Sequence, residues 1–250
     1  MRIAADPIFP DFPFTEHFAR LSIVQTQTQQ ALGTDWELYL DGMQLLYDIY
    51  AAAATRLAVP FRERKEAALM TSTQAVSALS SAGMLALQGD AVRSIVCSRQ
   101  GLEELLHYLA CLHVPDVAAR YLDGKTPRPF EVRRAIEAQP LVTKTYAALS
   151  QPAHGSLLNP LLMHGEGWLP LHTGRANIEG VRDALAFAIA VIAIGLPMIA
   201  AGMGVSTEAW HLEWHRRFGL FMDAWRADLA GRLDELSKLM ASPDVGVGGG

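Results

Sequence analysis

From Ala184 to Val205 the chain reads ALAFAIAVIAIGLPMIAAGMGV, twenty-two residues without a charge. As a helix this run covers about 33 Å, long enough to cross the hydrocarbon core of a bilayer. Such a segment has to leave water, either for lipid or for the centre of a protein. Seven alanines, three glycines and Pro197 lie inside it, and small side chains suit a central helix wrapped closely by others. Its flanks carry no Lys/Arg asymmetry that would orient a lone span. Burial of 184–205 in a bundle is the expected reading, and a single-span membrane protein is its alternative.

The rest of the sequence supplies the wrapping. Helix signals recur and strand alternation is almost absent. Thr15 and Thr34 stand at N-cap positions, and TDWE at 34–37 has capping-box spacing. Pro60 closes the second helix and opens a third that runs to Gly89; Asp90 caps a fourth over 91–113, ahead of Pro115. A short helix follows to Leu122, DGKTPRP at 123–129 is a loop, and shorter helices fill 130–138 and 141–150. Long helices at 178–204 and 207–240 end the fold. The fold class is all-α, a helical bundle of about six to eight helices with an irregular connection at 123–177. By domain, 1–14 is an extended arm with no secretory signal, 15–240 a single bundle, and 241–250 a Gly-rich flexible tail.

A net charge of -5 argues against a surface built for nucleic-acid phosphates, since that binding needs clustered Lys and Arg. The two cysteines, Cys97 and Cys111, fall about 21 Å apart along one helix. They cannot pair, which predicts free thiols and a reducing, cytoplasmic setting. Phosphate-binding Gly-rich loops, the Gly-x-Ser-x-Gly elbow and Cys-x-x-Cys are all missing, and no cofactor is expected.

Two places carry chemistry. On the fourth helix Val92, Ile95, Val96, Leu102, Leu106, Leu109 and Ala110 form an apolar stripe with Arg99 and Glu103 set in its middle. Four residues apart, the two charges are in reach of a charge-assisted hydrogen bond. Further on, YAALSQPAHGSLLNP at 146–160 gathers Ser150, His154, Ser156 and Asn159 in a segment broken by Pro152, Gly155 and Pro160. If this turn brings His154 to Arg99 and Glu103, the carboxylate holds the imidazole tautomer and the guanidinium stabilises an anion. The competing reading has Ser150 and His154 capping helix ends and satisfying buried charge. Glu-x-x-His occurs twice, as Glu104/His107 and Glu208/His211, half of a carboxylate-bridged di-iron pattern whose other half is missing; no metal is expected. Glu208, His211 and His215 remain weak ligand candidates, although Trp210, Trp214 and Phe218 around them read as a helix end packing aromatics. His164, Glu166 and His172 fall in a Gly-rich connection read as an ordinary loop.

The order RSIVCSRQGLEELLHYLAC, ARYLDG and YAALSQPAHGS, over about residues 90–157, resembles the uncharacterised bacterial domain-of-unknown-function family 5677, itself similar to HEPN-type helical bundles. The resemblance implies that Arg99 and Glu103 on one helix face Ser150 and His154 after a later one. HEPN ribonucleases place an Arg shortly before the histidine, and no Arg occurs between 147 and 153 here. Three functions follow as expectations: an interaction or assembly protein, with a homodimer through the Trp- and Phe-bearing last helix; a HEPN-like hydrolase or RNA-cleaving effector using His154; and a single-span membrane protein.

Overall fold

A computed structural model describes residues 14–56, 63–135, 177–205 and 208–241. Among these are eight helices and no strand, the all-α bundle expected. They are α1 (Phe14–Leu32), α2 (Thr34–Arg56), α3 (Glu63–Leu87), α4 (Ala91–His113), α5 (Pro115–Leu122), α6 (Pro129–Ala135), α7 (Ile178–Gly202) and α8 (Glu208–Ala241). Of the arm expected at 1–14 and the tail expected at 241–250 only Phe14 and Ala241 are described, as the first residue of α1 and the last of α8; the rest of both, and the helix expected at 141–150, lie outside the described residues.

Local chemistry sets several boundaries. Gly33, at φ +50°, ends α1 and starts α2, and its carbonyl accepts from the amides of Trp36 and Glu37 at 3.1 and 3.2 Å. Thr34 is therefore the first residue of α2 and the capping position belongs to the glycine, which reaches a left-handed conformation without a Cβ penalty. Thr15 lies within α1, one residue after its start. The Asp90 side chain accepts from the Arg93 amide at 3.0 Å and caps α4 as its position predicts. Asn177 does the same for α7 through Gly180, at 3.2 Å.

The uncharged run forms α7, which is long and apolar enough to cross a membrane, yet 78% of its most apolar stretch is buried inside the protein. It packs on α4, α2, α3, α1 and α8, with Ala184, Leu185, Ala188, Ala190, Val191 and Ala193 fully covered. Pro197 has no amide hydrogen for the carbonyl of Ala193, four residues earlier. The indole Nε1 of Trp214 on α8 donates to that carbonyl at 2.9 Å. Phe218, Met222 and Trp225 follow Trp214 along the inner face of α8, buried, so these side chains of the last helix pack on the chain's own core.

Two tyrosines lock helices by the same device. Tyr108 of α4 lies where a Cβ on Gly202 of α7 would stand, and its hydroxyl donates to the Ile199 carbonyl at 3.0 Å. Tyr39 of α2 covers Gly83 of α3 and donates to the Leu79 carbonyl at 3.0 Å. In each case the missing side chain admits the ring, and the hydroxyl reaches a carbonyl about one turn back along the same helix.

Candidate functional site

Arg99 and Glu103 form the expected ion pair, Nη2 to Oε1 at 2.9 Å, and each side chain is 20% exposed. The pair lies at the border of the buried stripe of α4, not in its middle. That middle is occupied by Ser94, Ser98, Gly101 and Leu105, all buried, while Val96 is 40% exposed. A stripe drawn through large apolar residues misses this, because tight packing on α3 selects small ones. A Cβ at Gly101 would lie 2.9 Å from the Leu79 side chain. The Ser98 hydroxyl donates to the Ser94 carbonyl at 3.0 Å, so a serine there is both small and satisfied. Ser150 and His154 lie outside the described residues, as do His164, Glu166 and His172.

The C-terminal half of α4 is covered on its far side as well, by α5, α6 and the loop between them, and there the structure assembles a second polar cluster. His107 is 3% exposed. Its Nε2 is 3.2 Å from the Pro127 carbonyl; a carbonyl only accepts, so that nitrogen carries the proton. Its Nδ1 faces Glu104 Oε2 at 3.6 Å, beyond hydrogen-bond length. The Tyr121 hydroxyl is 2.7 Å from Gln74 Oε1 and 3.2 Å from Glu104 Oε2, and its single proton serves one acceptor at a time. The cluster thus ties α3, α4, α5 and the 123–128 loop together. The Glu104/His107 spacing was visible in the sequence. Gln74, Tyr121 and Pro127 carry no local signal, because only the fold brings them to α4.

The two thiols of α4 and the Tyr121 phenol are held in their protonated forms. Burial, reinforced by the Glu104 charge, pushes the Cys111 thiol up to about 11. Burial and Glu104 likewise raise the Tyr121 phenol, and burial raises Cys97, with Asp90 adding to it. A nucleophilic thiol needs the opposite shift. Both cysteines are free, as their spacing predicts.

The second Glu-x-x-His is used differently. Glu208, His211 and His215 are exposed on α8, with the histidine rings edge-on to Trp210 and Trp214 at centroid distances of 5.7 and 4.9 Å. Among the described residues no group of three His, Cys, Asp or Glu side chains could hold a metal ion. A cleft of about 40 Å³ opens between Lys65, Leu69, Tyr108, Leu112 and Met203; it has room for water and is lined by neither polar cluster. No family model, no curated protein and no solved structure matches the chain.

Proposed function

We propose that this chain is a cytoplasmic interaction or assembly protein, in which the internal polar clusters fix how the helices pack and carry no reaction. The observation that supports it is the Gln74–Tyr121–Glu104–His107–Pro127 cluster. Its hydrogen bonds join three helices and a loop, and its own phenol and the neighbouring Cys111 thiol are kept protonated at neutral pH. Buried polar groups arranged this way specify one packing of the helices, a role that apolar contacts alone fill poorly. The burial of α7 by the other helices supports a core helix over a membrane span.

A second reading, a HEPN-like hydrolase, is favoured by one feature. The Arg99–Glu103 pair keeps one-fifth of each side chain in contact with solvent, and a guanidinium beside a carboxylate is the kind of group that stabilises developing negative charge. Purified protein incubated with single-stranded RNA, alongside the His154→Ala variant, separates the two. The interaction reading expects intact RNA with both proteins and a lower Tm for the variant. RNA cleavage that disappears in His154→Ala while Tm is unchanged overturns it in favour of the hydrolase.

A further inference from the structure

Helix α8 has two faces. Trp214, Phe218, Met222 and Trp225 point into the bundle, and the opposite face follows from the helical period. On that outer face Leu220 is 90% exposed and Leu212 65%. Between and beside them stand Arg216 and Asp223, whose side chains are 67% and 77% exposed. Gly219 adjoins Leu220, and nothing lies within 4 Å of where its Cβ would be. A glycine inside a helix weakens it relative to alanine, and neither a turn nor a neighbour among the described residues explains this one. Close approach of another backbone would.

We propose that the outer face of α8 pairs with the same face of a second copy of this chain, antiparallel, about a two-fold axis passing between Gly219 and Leu220. The inference rests on the interaction reading above and supplies its partner. The charges choose the partner and the direction. In an isologous pair, residues equally far on either side of the axis come level with one another. Arg216 and Asp223 are so placed, near the centre line of the face, and each meets its opposite in the other copy. A parallel arrangement sets Arg216 on Arg216 and Asp223 on Asp223. Leu220 packs on Leu220 across the axis, and the paired Gly219 positions let the backbones approach.

Neither charge is stripped bare by the pairing. Glu213 already holds Arg216 through two hydrogen bonds of 2.8 Å, and Arg226 lies 3.6 Å from Asp223. The contact joins pairs that exist in each copy into a longer row of alternating charge, which avoids burying an uncompensated ion. The contact is a single helix pair, and it is therefore a concentration-dependent dimer, not an obligate one.

Sedimentation equilibrium of the full chain from micromolar to near-millimolar concentration tests the pairing, with circular dichroism to check that each variant is folded. The wild type is expected to pass from monomer to dimer. Leu220→Glu is expected to stay monomeric throughout, and Arg216→Asp to weaken the dimer at least tenfold. The exchange Arg216→Asp with Asp223→Arg is expected to recover most of that loss, since the cross-pairing is restored with its signs reversed. A wild type that stays monomeric, a dimer indifferent to Leu220→Glu, or an exchange no better than the single variant overturns the proposal. The interaction reading is decided separately by the RNA and Tm experiment, so its failure and this one are distinguishable.

Discussion

The indole nitrogen of Trp214 donates, at 2.9 Å, to the carbonyl of Ala193, the group that Pro197 leaves without a helical donor. Proline in a helix interior removes one hydrogen bond and pushes aside the carbonyl four residues back. Here the displaced acceptor becomes the point at which α8 is fastened to the core helix.

A double-mutant cycle follows from this. Trp214→Phe keeps most of the packing but strands a part-buried carbonyl, at about 1 to 3 kcal/mol. Pro197→Ala restores the backbone donor, so the same Trp214→Phe change in that background is expected to cost below about 1 kcal/mol. Urea unfolding of the four proteins measures the coupling; effects that simply add would show that the indole and the missing amide do not share this carbonyl.

The Cys111 thiol gives a dependence on alkaline pH. Its folded pKa of about 11 lies above the ordinary value of 9.0, because burial disfavours the thiolate. A group whose pKa is raised on folding contributes fully below the unfolded value and loses that contribution as pH rises through the folded one. Stability is therefore expected to fall between about pH 9 and 11, by on the order of 2 kcal/mol from this thiol, with Cys97 adding in the same direction. Cys111→Ala lowers stability at pH 7 through the cavity it leaves, yet flattens the alkaline decline. An undiminished slope in that variant would assign the decline to the tyrosines instead.

Much of the fold is legible in the sequence alone. The uncharged run, the Asp90 cap, the loop expected at 123–129, whose last residue Pro129 opens α6, and the free thiols follow from spacing and residue type, because each is decided within a few neighbouring positions. Three things were not. Gly33 displaced Thr34 as the capping residue, since a single left-handed glycine serves two helices at once. The core stripe of α4 was misplaced because close packing favours Ser94, Ser98 and Gly101 over larger residues, and hydrophobicity does not report size. The joining of Gln74, Tyr121 and Pro127 to Glu104 and His107 stayed hidden because those three come from elements other than α4. Of the expected Arg99/Glu103/Ser150/His154 constellation, the described residues contain the ion pair alone.

The alternatives for α7 give opposite expectations for one substitution. Ala188 is fully buried among neighbouring helices, and Ala188→Leu overfills that space, at about 1 to 3 kcal/mol. A helix facing lipid would accept the same leucine without loss. Thermal unfolding of the variant, with carbonate extraction of the expressed wild-type protein, reads both sides: a lowered Tm and an extractable protein are expected. A neutral substitution in a carbonate-resistant protein would place α7 in a bilayer.

The axle of this bundle is helix α7, and Tyr108 finds Ile199 only across 91 positions of sequence. A nascent chain leaving the ribosome has released α1 to α4 long before the element that covers their inner faces has been synthesised. At about 5 to 20 residues per second, that interval lasts for several seconds. During translation these early helices expose the apolar surface that α7 later covers, which makes them natural clients for a chaperone at the exit tunnel.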